Sequence, residues 1–113
     1  MFSYEGNIIR IDDNEHTFQF DIRSVLVCKA YYVVLLSIPF NENYINNLFC
    51  IDNNAHIIWQ SEDILKKYPD INNPLPYEQV LLKDGILYAS DFYGRYFTIS
   101  VETGDIINRG VGK

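Results

Sequence analysis

Basic residues are scarce: nine Lys and Arg stand against fifteen Asp and Glu, a formal charge of −6. That deficit argues against a nucleic-acid binder, because phosphate contacts need a cationic face and each missing contact lowers log affinity. Long apolar runs are missing too. The most apolar stretch, Tyr31 to Ile38, is eight residues, far below the ~20 that cross a bilayer as a helix, so no membrane partner is expected. Residues 1 to 23 already carry Glu5, Arg10, Asp12, Asp13 and Glu15. They hold no basic segment followed by an apolar one, so no secretory leader is expected and the chain is expected in the cytoplasm. Asn-x-Ser/Thr sequons are absent although Asn is abundant, in keeping with a compartment without glycosylation. Cysteine is reduced to Cys28 and Cys50, each among apolar strand residues. A disulfide, a buried thiol pair and a catalytic thiol are all open, and the simplest reading is two small buried hydrophobes. Phosphate-binding glycine loops, the Gly-x-Ser-x-Gly elbow, His-Glu-x-x-His and Cys-x-x-Cys do not occur. No catalytic, cofactor or metal residues are therefore assigned, and no enzyme is expected.

What is present is apolar and aromatic. The 113 residues are 48% hydrophobic, 15% aromatic and 21% charged, which rules out a disordered chain and gives room for one domain, residues 1 to 113, without staples.

Short β-prone runs alternate with turn residues. Asn7 to Ile11 and His16 to Phe20 flank Asp-Asp-Asn-Glu, and Leu48 to Ile51 and His56 to Gln60 flank Asp-Asn-Asn-Ala, so each reads as a hairpin. Val80 to Lys83 and Ile86 to Ser90 are joined by Asp84-Gly85, a pair suited to positive φ at both central positions of a type I′ turn. Tyr96 to Val101 and Asp105 to Asn108 form a last pair. Ser24 to Ile38 is too long to run unbroken through a domain of this size, so a tight turn or bulge is placed at Lys29-Ala30. Tyr31 to Ile38 is apolar at nearly every position, which predicts a central strand covered on both faces. One short helix is expected near residues 62 to 68, with Ser61 as N-cap, Glu62 and Asp63 in the first turn and Pro69 as the stop. The fold class is therefore all-β: an antiparallel meander of repeated hairpins, blade-like, packed as a twisted sheet or small sandwich around Val25, Val33, Leu35, Phe49, Ile51, Ile58, Trp59, Leu82, Leu87, Phe97 and Ile99.

Residues 7 to 20 set over 47 to 60 without gaps give five identities: Asn7 with Asn47, Ile11 with Ile51, Asp12 with Asp52, Asn14 with Asn54 and His16 with His56. Tyr96 to Ile107 is a looser third copy. A period near 40 is what stacked four-stranded blades produce. Phe97-Thr-Ile-Ser-Val-Glu-Thr-Gly104, and Leu48 to Asp52 with Trp59, locally resemble blades of quinoprotein-type β-propellers, although some ten strands are too few for a closed ring. Tyr31 to Leu36, Pro39, Asn47 to Asp52 with Ile57 to Gln60, Asp84 to Ala89, Asp91 to Gly94 and Thr103 to Ile107 together resemble a group of small uncharacterised bacterial proteins. Members of that group are similar in size and acidity to immunity proteins of polymorphic or contact-dependent toxin systems. The resemblance implies a non-enzymatic inhibitor of a basic toxin, such as a nuclease, and implies no catalytic residues.

Candidate contact residues follow from charge and turn chemistry. Asp12, Asp13, Glu15, Asp91 and Glu102 are turn or strand-end acids that would meet cations of a basic protein partner, which a negative surface steers into encounter. Tyr44 lies in a loop among Glu42, Asn43 and Asn46. Phe92 and Tyr93 lie between Asp91 and Gly94, where aromatics either anchor a partner or fold over the core, and an Asp-x-x-Gly turn favours tucking a ring under. His16 and His56 follow matched Asp/Asn turns and would suit a metal or an enzyme site, but the repeat explains their spacing without either. A monomer is expected. The rival assembly is a cyclic oligomer of blade-like chains binding a small ligand or sugar on its tyrosines.

Overall fold

Period-2 alternation and turn chemistry build three antiparallel meanders, one after another along the chain. The computed structural model describes residues 1–111. The first sheet is β1 (Phe2–Glu5), β2 (Ile8–Ile11) and β3 (Asn14–Thr17). The second is β4 (Ile22–Cys28), β5 (Tyr31–Leu36), β6 (Leu48–Ile51) and β7 (Ile57–Gln60). A short helix α1 (Ile64–Lys67) leads to the third, β8 (Tyr77–Lys83), β9 (Ile86–Asp91), β10 (Arg95–Ile99) and β11 (Ile106–Val111). Each sheet keeps chain order, every neighbour antiparallel.

The sheets are stacked, with the second in the middle. Val33, Leu35, Leu48 and Cys50 face the third sheet, packing with Leu87, Ala89, Phe97, Ile99 and Ile106. Val34, Leu36, Phe49 and Ile51 face the first, packing with Ile9, Ile11 and Phe18. This is why Val33 to Leu36 and Leu48 to Ile51 are buried without a break: a strand covered on both faces has no solvent side to fill with polar residues. Each buried aliphatic side chain of these two middle strands contributes about 2 kcal/mol of apolar burial.

The turns follow their residues. Asp84 and Gly85 have φ of 53° and 78°, as a type I′ turn demands. Lys29, φ 57°, makes the break between β4 and β5, where Cys28 sits opposite Tyr31. Gly104, φ 80°, lies under Trp59: an added Cβ would come within 2.6 Å of the indole ring. The indole N–H donates to the Val101 carbonyl at 3.0 Å.

Several expectations need correction. Phe2–Glu5 forms a strand that the hairpin pattern, beginning at Asn7, does not include. The hairpin after β2 turns on Asp12-Asp13 alone, with Ile11 opposite Asn14, because Asp12 takes the positive φ of 54°. The helix is capped by Asp63, whose carboxylate accepts from the Leu65 N–H at 3.1 Å. Ser61 is buried and its hydroxyl has no partner. Glu62 instead accepts from the Ile106 N–H at 2.8 Å, tying the helix to β11. Ile58 is exposed, since the alternation of β7 turns Trp59 inward. Cys28 and Cys50 are free thiols; both face the third sheet but β5 runs between them, about 10 Å for two strand spacings, too far to bridge. Burial pushes the Cys50 thiol up to about 11.

Candidate functional site

Three loops meet at one end of the stack: residues 37 to 47 after β5, residues 68 to 76 before β8, and residues 92 to 94 between β9 and β10. Asn47 joins the first two. Fully buried, its amide donates to the Leu36 carbonyl at 2.7 Å and the Tyr77 carbonyl at 3.0 Å, and accepts from the Tyr77 N–H at 2.8 Å. It therefore substitutes for a strand, pairing backbone groups where β6 and β8 do not reach each other. Asn46 beside it accepts from the Ile64 N–H at 3.2 Å, fixing the start of α1.

Arg95 joins the second loop to the third. Its Nε donates to Asp91 Oδ2 at 2.7 Å, and its two Nη groups donate to the carbonyls of Asn72 and Asn73 at 3.0 and 2.8 Å. Asp91 Oδ1 accepts from the N–H groups of Tyr93 and Arg95 at 2.9 and 3.1 Å. Asn73 donates to the Tyr93 hydroxyl at 3.1 Å, and the Arg95 guanidinium lies 5.3 Å from that ring. Three guanidinium N–H groups are engaged, one on a carboxylate and two on backbone carbonyls, a charge-assisted set that fixes the side chain in one orientation. The turn is thus closed from inside by Asp91 and clamped from behind by Arg95.

The bracing holds aromatic side chains outward. Phe92 is 81% and Tyr93 58% exposed, and Phe40 on the first loop is fully so. Between them runs a groove of about 780 Å³ walled by Ile38, Phe40, Leu65, Pro74 and Pro76. A second depression, about 1270 Å³, continues across the outer face of the third sheet over Tyr88 and Tyr96, whose rings meet edge-on with centroids 6.1 Å apart. Gly110 leaves Tyr96 room to lie there, since a Cβ at that position would sit 2.6 Å from its ring. The two share Arg23, Glu78, Phe92 and Tyr93 in their walls, with Arg23 and Glu78 paired at 3.2 Å.

The residues expected to make contact are dispersed. Asp91 is 7% exposed and spent on its own turn, so it offers no charge to a partner; Phe92 and Tyr93 point out instead of tucking under. Tyr44 is half buried, its ring 5.2 Å from Phe20 and its hydroxyl accepting from Gln60 Nε2 at 2.9 Å. Asp12, Asp13 and Glu15 belong to the β2–β3 hairpin, at the far end of the first sheet from the Gly6 turn that hydrogen-bonds to Ile22. Asp12 sits 3.3 Å from the N-terminal ammonium and Glu15 3.0 Å from Arg10. Glu102 is exposed in the β10–β11 turn, at the opposite end of the third sheet from Phe92. His16 packs edge-on against Phe18 at 4.5 Å, and burial lowers its pKa from 6.5. His56 is exposed, its Nδ1 3.8 Å from Asp52 Oδ2; neither imidazole lines either of the two grooves described above. Asp52 closes its turn on the N–H groups of Asn54 and His56, and these bonds hold its carboxyl below the usual range. Among the described residues no three His, Cys, Asp or Glu side chains gather to hold a metal ion, and no helix is long and apolar enough to cross a membrane.

Sequence reasoning missed Phe40, Asn47 and Arg95. Phe40 carried a signal: a lone Phe between Pro39 and Asn41 in a polar loop has no periodic partner to bury it. Asn47 and Arg95 act through segments 30 and 23 residues away, which no local pattern records. A family model described as Domain of unknown function (DUF7957) matches residues 1–111, and the chain belongs to that family. No curated protein matches it.

Proposed function

We propose that this DUF7957 protein is a non-enzymatic binding module that covers a basic protein partner, and that the partner is a bacterial toxin domain to which it confers immunity. The observation that carries the reading is the braced loop rim: Phe92 and Tyr93 are held out of the core by the Asp91–Arg95 turn, and fully exposed Phe40 lines the same groove. Exposed aromatics on a pre-set frame are the anchors from which interfaces draw most of their affinity, because little side-chain and loop entropy remains to be lost on contact. The acid excess supplies a second element. Asp12, Asp13, Glu15 and Glu102 lie away from the rim, so their part is long-range attraction of a cationic partner rather than contact.

The test is co-expression with the C-terminal domain of a large secreted protein encoded directly upstream. A one-to-one complex by light scattering, with the domain's toxicity suppressed, is the expected result. Phe40→Ala and Phe92→Ala should each raise the dissociation rate about tenfold or more. Reversing Asp12, Asp13 and Glu15 to Lys should slow association and flatten its salt dependence while leaving dissociation unchanged. A complex indifferent to both sets of changes sinks the reading.

A further inference from the structure

The second and third sheets have four strands each and the first has three. The internal repeat and the strand order together say which strand is missing. Residues 7 to 20 align with 47 to 60, which sets β2 on β6; by strand order β3 then answers β7 and β1 answers β5. The stacking agrees: Phe2 of β1 packs on Tyr32 of β5, ring centroids 5.2 Å apart. Nothing in the first sheet corresponds to β4, so the outer edge of β1 is where a fourth strand would lie.

Among the described residues that edge is open, and its backbone is in phase to pair. The Asp12 N–H donates to the Met1 carbonyl at 3.1 Å, which sets the ladder: Ser3 and Glu5 turn their backbone groups toward β2, and Phe2 and Tyr4 turn theirs away from it. The floor beside the edge is apolar and uncovered. Under β1 and β2, Val34, Leu36, Phe49 and Ile51 are buried; on the same face of β4, Val25 is half buried and Val27 is 54% exposed, and Tyr4 above is 42% exposed. β1 carries no Lys or Pro of the kind that keeps free edges from pairing.

We infer that the edge of β1 accepts an extended strand from a partner protein, hydrogen-bonded to the backbones of Phe2 and Tyr4, with apolar side chains against Val25 and Val27. Charge names its ends. Glu5 and Asp21 are exposed at one end of β1, around the Gly6 turn, and Asp12 and Asp13 at the other, where the N-terminal ammonium 3.3 Å from Asp12 offsets one of the two and leaves that end net negative. A strand with alternating apolar residues and a cation at each end fits. A second copy of this chain does not, because antiparallel pairing of two β1 strands sets acid against acid. In the second and third sheets the corresponding strand runs antiparallel to its neighbour, and the accepted strand does the same.

The inference is independent of the loop rim, and its test uses the full chain with a synthetic probe: a short peptide alternating valine and threonine, capped by a lysine at each end. Amide exchange followed by NMR should show Tyr4 slowed about tenfold by the peptide, with chemical-shift changes at Phe2, Tyr4, Val25 and Val27. A glutamate-capped peptide should bind far more weakly. Tyr4→Pro removes an outward N–H without breaking the β1–β2 ladder and should abolish the peptide-induced shift changes at Phe2, Val25 and Val27; Phe2→Pro, in which the Tyr4 amide can still be read, should abolish its protection. Shifts confined to Phe92 and Tyr93, no protection of Tyr4, or Tyr4 already protected in a dimer of the free protein would each overturn the inference.

Discussion

At the scale of single residues, stability is concentrated where one side chain serves several backbone groups. Asn47→Ala removes three bonds and leaves the carbonyls of Leu36 and Tyr77 and the Tyr77 N–H facing a dry interior. The expected loss is about 3 kcal/mol by urea titration, several times that of an exposed Asn such as Asn108. His16 sets a pH dependence. Its imidazole is held below 6.5 by desolvation, so the folded chain binds the proton less well than the unfolded chain. Stability present above pH 6.5 should fall as the pH drops through the range between that value and the lowered one. His16→Gln should flatten this part of the profile. The drop that follows on further acidification, through titration of Asp52 and Asp70, whose carboxyls are held low by the His56 backbone and by Arg109, should persist. Local chemistry of this kind was partly legible in the sequence. Asp84-Gly85 announced its turn because two positive φ angles need those residues. Ser61 misled because Asp63, two positions on, is an equally good cap and has Asn46 beside it.

At the scale of elements, the β9–β10 turn is rigid because its charges are neutralised within it. Asp91 and Arg95 are 3% and 21% exposed as side chains and 2.7 Å apart. Breaking a pair this sheltered leaves a charge behind, so Asp91→Asn or Arg95→Met should cost about 2–3 kcal/mol. Either should also raise hydrogen exchange at Phe92 to Arg95 more than in β9 itself. Phe92→Ala should leave stability within about 0.5 kcal/mol, since the ring covers nothing in the core. Strands that carry an apolar run were readable from pattern alone, β5 most clearly, because hydrophobic runs report burial directly. The brief alternation Phe-Ser-Tyr-Glu of β1 gave too little pattern to separate it from a frayed end. The loop rim was not readable, since its shape depends on Arg95 reaching two carbonyls more than twenty residues away in sequence.

At the scale of the whole molecule, the middle sheet makes the two hydrophobic clusters one cooperative unit. Val33 and Val34 are neighbours on one strand yet belong to different clusters, so loosening one side withdraws support from the other. Ile11→Ala, in the cluster remote from Trp59, should shift the unfolding midpoint seen by Trp59 fluorescence and that seen by circular dichroism by the same amount. Two separated transitions would mean that the layers fold apart. The all-β class and the repeat of hairpins were legible because they are properties of the pattern. The stacking of three layers was not, because neither face of a strand declares which sheet will cover it.

The placement of the two thiols gives the stack an internal alarm. With β5 between Cys28 and Cys50, no oxidant can link them while the middle sheet is whole. The link forms only in molecules whose sheet has come apart. Under a mild oxidant the yield of the Cys28–Cys50 link, as distinct from modification of half-buried Cys28 alone, should therefore count how often the central layer opens.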